Sequence, residues 1–125
     1  MKLVTQKDYS GCGIACLAMI TNSTYDRVKN SVFLGRHRNR GFYTSHTQLI
    51  EHLNSKNIQN SGKLVRCPRD FRNLDCTAII KTNVTKGGYW HWIVWDFAKQ
   101  RILDPKVKPY LERNLRPKSA IKIYL

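Results

Sequence analysis

Cys12 stands where a polar turn, Thr5-Gln6-Lys7-Asp8-Tyr9-Ser10-Gly11, runs into the apolar stretch Gly13–Ile20. A helix that starts at Cys12 sets its thiol among unpaired backbone N–H groups, which together carry roughly half a positive charge. Such a field favours the anion of a thiol, and the anion is the nucleophile. Gln6 can bring a side-chain amide beside the same sulfur. A nucleophile of this kind works with a base, and the base with a group that orients it.

The chain offers His37, His46, His52 and His91 as that base. His37 belongs to the basic loop Gly35–Gly41, where solvent exposure is expected. His46 and His52 fall on the polar side of a helix and are expected at the surface. His91 lies in Trp90-His91-Trp92-Ile93-Val94-Trp95, where a polar ring needs a partner. A core histidine bonded to backbone is the bland alternative. A turn centred between Phe97 and Ala98 would set Asp104 directly opposite His91, with Cβ atoms about 4.5–5.5 Å apart. That carboxylate would hold one ring nitrogen and leave the other for the thiol. Asp96 competes, but strand alternation places it on the other face. Gly11 and Gly13 beside the sulfur, and Tyr89, Trp90 and Trp92 beside the imidazole, are candidate substrate-binding residues.

These groups must be held by the elements around them. Residues 2–5 read as a short strand or extended lead-in. The residue pattern predicts helices over 12–22, about 24–34 and 45–54. Ser10 or Gly11, Asn22 or Thr24, and Thr44 or Ser45 are the respective caps. The period then becomes extended. Strands are expected over 63–67, 76–82, 89–96, 100–104 and 119–125, with a turn at Lys86–Gly88 and a tight connection at Phe97–Lys99. Helices first and an antiparallel sheet afterwards make an α+β fold, N-terminal helices packed on a C-terminal sheet.

At 125 residues and 42% hydrophobic, the chain is expected to form a single domain over 1–125. Cys12, Cys16, Cys67 and Cys76 do not have zinc-module spacing, so no metal and no cofactor are expected. Without a signal-peptide pattern in residues 1–20, or an apolar run of about 18 residues, no membrane span and a cytoplasmic location are expected. Lys and Arg number 22 against 8 Asp and Glu, a net charge of +14. That excess draws polyanions, with nucleic acid or an acidic protein as candidate partners and Arg36, Arg38 and Arg40 as candidate contacts.

Gln6, five residues, then Cys12-Gly13-Ile14-Ala15-Cys16-Leu17-Ala18-Met19-Ile20 resembles one motif of the papain-like cysteine peptidases that process double-glycine bacteriocin leaders. The second motif of that family resembles His91-Trp92-Ile93-Val94-Trp95 followed by Ile102-Leu103-Asp104-Pro105. The resemblance covers most of residues 3–105. It implies a papain-like fold and hydrolysis of a peptide or amide bond in a peptide or protein substrate. It also implies Cys12 as nucleophile, His91 as base and acid, Asp104 as its orienter, and Gln6 with the Cys12 N–H as oxyanion hole. Gly11 stands where the family has Asp, and residues 106–125 are not family features. Two further readings come from the charge: a basic papain-fold toxin acting on RNA or modifying a host protein, and a non-enzymatic binder of an acidic partner.

Overall fold

The computed structural model describes residues 1–34 and 41–125. Among these residues the fold is α+β, with three α-helices and a five-stranded antiparallel sheet. Helix α1 (Cys12–Thr21) starts after Gly11 and ends on Asn22, which takes the left-handed conformation at φ 52°. Cys12 through Ile20 are all buried. The reason is compositional, since Ala, Cys, Leu, Met and Ile surround the axis and leave no polar face.

Helix α2 (Tyr25–Phe33) is capped by the Thr24 hydroxyl, which accepts from the Arg27 N–H. Helix α3 (His46–Ser55) carries a reciprocal capping box between Ser45 and Gln48. These helices lie within a residue or so of their expected spans. His52 does not match its expectation. It is 7% exposed and sits beside Leu53, which is fully buried. Burial, with the nearby Lys56, lowers its pKa.

The strands are β1 (Val65–Arg66), β2 (Thr77–Thr82), β3 (His91–Asp96), β4 (Arg101–Leu103) and β5 (Pro117–Ile123). Their order across the sheet is β1-β5-β2-β3-β4. The last strand is therefore interior, paired with β1 on one side and β2 on the other. Residues 2–5 form no strand. One sheet face, with Ile79, Val94, Ile121 and Ile123, packs against the helices. The other, with Ile80, Ile93, Trp95 and Ala120, is covered by Cys67, Phe71, Leu74 and Leu115. No helix among the described residues is long and apolar enough to cross a membrane.

The β3–β4 hairpin differs from the expected one. Its closing pair is Asp96 with Arg101, followed by Trp95 with Ile102 and Val94 with Leu103. Four residues, Phe97–Gln100, form the loop, and Gln100 takes a positive φ of 51°. Continuing this ladder sets Asp104 opposite Ile93, so His91 is a diagonal neighbour on the same face, not a direct one. The slip is by two residues, and an even slip preserves the face.

Candidate active site

Helix α1 packs against β3 and brings its first residue, Cys12, to the end of β3 where His91 begins. The His91 Nε2 lies 2.7 Å from the Asp104 Oδ1. The same imidazole lies within electrostatic reach of Cys12 and lines one cleft with it. With Nε2 committed to the carboxylate, Nδ1 is the nitrogen left for the sulfur. The side chains of His91 and Asp104 are 12% and 5% exposed, so water does little to screen them.

Asp104 is fixed from three directions. Besides His91, its Oδ1 accepts from the Lys106 N–H at 3.0 Å, and its Oδ2 from the Tyr110 N–H at 3.0 Å. Burial alone would raise its pKa, but the His91 hydrogen bond and these backbone donors hold it below the ordinary value. Burial would likewise lower the His91 pKa. The Asp104 hydrogen bond, then the nearby Cys12, instead raise it from 6.5 to about 9.

Gln6 lines the same cleft as Cys12 and His91. Its backbone N–H donates to the Pro105 carbonyl at 2.8 Å, which ties the turn before α1 to the chain after Asp104. Its Nε2 donates to the carbonyls of Asp8 and Tyr9, at 3.0 and 2.8 Å. Both amide hydrogens are thus engaged within the turn. Asp8 anchors that turn to α2, accepting from the Tyr25 hydroxyl at 2.7 Å and pairing with Lys29 at 3.1 Å.

The cleft holds about 620 Å³ and is walled by Tyr9, Tyr43, Tyr89, Trp90 and Tyr110 as well as by the polar groups. A smaller hollow of about 220 Å³ opens beside Cys12 between Tyr43, Thr44, Trp90 and Trp92. Tyr89 and Trp90 line both spaces, while Trp92 lines only the smaller one. Trp92 is buried, and its indole N–H donates to the Thr44 carbonyl at 3.0 Å. Gly11 and Gly13 are buried and line neither space. A Cβ on Gly11 would meet the Tyr25 hydroxyl, and one on Gly13 the Thr44 hydroxyl, each at 1.8 Å. Their small size serves close packing around the start of α1. Arg36, Arg38 and Arg40 lie outside the described residues.

Tyr43 and Tyr110 escaped the sequence reading. Both come from connections with no periodic pattern, and Tyr110 reaches His91 by an edge-on ring contact at 5.5 Å. The Lys106 N–H bond to Asp104 had a signal. An aspartate accepting from the amide two residues on is an Asx-turn, and Asp104-Pro105-Lys106 is a sequence suited to one.

Of the other cysteines, Cys16 is fully buried, and burial with the fields of Cys12 and Asp104 raises its pKa. Burial raises Cys67 to about 11. Among the described residues, no three His, Cys, Asp or Glu side chains converge as a metal site would require.

A buried cysteine at a helix start shares its cleft with a histidine bonded to an aspartate. The model of the Peptidase C39 family matches residues 1–114. The chain belongs to that family, the one its two motifs resemble. The match extends beyond Asp104 to residue 114, so the segment that supplies Lys106 and Tyr110 lies within the family region, contrary to expectation. A search of curated proteins returns no match.

Proposed function

We propose that the protein is a papain-like cysteine peptidase that hydrolyses a peptide bond through Cys12, His91 and Asp104. Cys12 and His91 together on the wall of a 620 Å³ cleft, with His91 bonded to Asp104, support this most directly. In the proposed reaction the Cys12 sulfur attacks the substrate carbonyl carbon, and His91 Nδ1 holds the thiol proton. His91 then gives that proton to the leaving amine as the C–N bond breaks. Water, deprotonated by His91, releases the acyl group and restores the thiol. Asp104 keeps Nε2–H directed at itself and stabilises the imidazolium.

The oxyanion receives the Cys12 backbone N–H, which as the first of α1 has no intrahelical acceptor. Gln6 Nε2 is the second donor, by turning one hydrogen from the Tyr9 or Asp8 carbonyl towards the oxyanion. The hydrolase assignment is favoured over an RNA-acting effector because family and site both point to acyl chemistry, whereas the effector rests on charge alone.

Incubation with a diverse peptide library, followed by mass spectrometry of new termini, tests the proposal. The wild-type protein is expected to generate new termini that Cys12→Ala does not. Equal cleavage by Cys12→Ala, or none by the wild type, overturns it.

A further inference from the structure

Charge is distributed unevenly around the cleft. Asp8 is the one carboxylate among its described lining residues, and it is neutralised by Lys29 and bonded to Tyr25. Two cations seated on aromatic rings near the site have no carboxylate partner among the described residues: Lys81 and Lys106. The Lys106 ammonium lies 3.9 Å from the centre of the Tyr110 ring, and Tyr110 itself packs against His91. The Lys81 ammonium lies 4.2 Å from the centre of the Trp90 ring, next in sequence to His91. Both rings line the cleft.

An ammonium over an aromatic face is attracted to the ring quadrupole and keeps its remaining donors for another partner. Here the Tyr110 ring holds Lys106 on the cleft wall, and Lys81 stands over Trp90, which also lines the cleft, without either cation being neutralised. Strand register extends the positive character away from the site. Lys81 of β2 pairs with Ser119 of β5, and Ser119 with Arg66 of β1, so Lys81 and Arg66 share a sheet face in one cross-strand row.

We propose that the cleft selects peptides carrying acidic side chains, held by Lys106 on its wall and by Lys81 over the Trp90 ring. This rests on the peptidase assignment and names its substrate class. Lys81 and Lys106 are specificity residues and take no part in bond breaking. Two partly exposed ion pairs correspond to about a 2- to 30-fold preference over an uncharged peptide.

The test measures binding to the full-length Cys12→Ala protein by fluorescence anisotropy. Three labelled peptides differ only in carrying Glu, Gln or Lys at the same positions. The Glu peptide is expected to bind about 2- to 30-fold more tightly than the Gln peptide, with the advantage shrinking as salt is raised. Adding Lys81→Glu and Lys106→Glu is expected to shift preference to the Lys peptide. Lys81→Gln with Lys106→Gln, a milder pair, is expected to abolish the Glu advantage. Equal binding of the Glu and Gln peptides overturns the proposal, as does a Glu advantage that survives both lysine pairs. So does a short oligonucleotide that binds more tightly than the Glu peptide and depends on the same lysines. If the Glu advantage is present but the wild type cleaves none of the peptides, the acidic-ligand site stands and the peptidase assignment fails.

Discussion

Asp104 decides the protonation of the site. Three hydrogen bonds hold its carboxylate, and it accepts from His91 Nε2 at 2.7 Å in a place water barely reaches. The His91 pKa of about 9 lies above its ordinary 6.5, so the folded state holds a proton that the unfolded chain would release between those values. Stability from this group is therefore fully present below about 6.5 and lost as pH rises through about 9. The proposed chemistry needs the same proton, so peptidase activity should decline above about pH 9. Asp104→Asn removes the largest of the groups that raise His91 and permits the wrong tautomer. It should lower kcat on the order of 10²-fold and move the alkaline limb to lower pH. A pH–rate profile whose alkaline limb is the same in both proteins would contradict this role.

The elements that hold these residues differ in how much of them could be read in advance. The helices were legible because each carries its own punctuation: Thr24 before α2, the Ser45–Gln48 box before α3, and an uninterrupted apolar run in α1. The same run pointed to Cys12 as a helix start. The pairing of His91 with Asp104 was legible only in part. Strand alternation gave the correct face, but a four-residue loop with Gln100 at positive φ moved the register by two. Turn type depends on backbone conformation that Phe-Ala-Lys-Gln does not dictate. The burial of His52 was also hidden, because its side of α3 faces the interior through packing with no local sign. Strand order was equally opaque. Nothing local indicates that the last strand enters between the first two, since that depends on pairings across half the chain. The placement has an energetic consequence. Ile121 of β5 is fully buried against the helix face, so Ile121→Ala should cost about 2–5 kcal/mol in urea denaturation. A loss under about 0.5 kcal/mol, typical of a surface change, would mean that β5 is peripheral.

Across the whole molecule, the starts of α1 and β3 meet at one cleft, and the turn before α1 is fastened to the chain beyond Asp104 through Gln6 and Pro105. The four cysteines allow activation of Cys12 to be set against simple accessibility. Cys12 is only 8% exposed, Cys16 and Cys67 are buried, and Cys76 is the most accessible. Burial, then the hydrogen bond with Asp75, raises the Cys76 pKa, and no histidine among the described residues serves it. The most direct measurement is limited alkylation with iodoacetamide at about pH 7, with each adduct mapped by peptide mass. Cys12 is expected to be modified first despite its low exposure, and His91→Ala to abolish this preference. Modification of Cys76 ahead of Cys12 in the wild-type protein would contradict it.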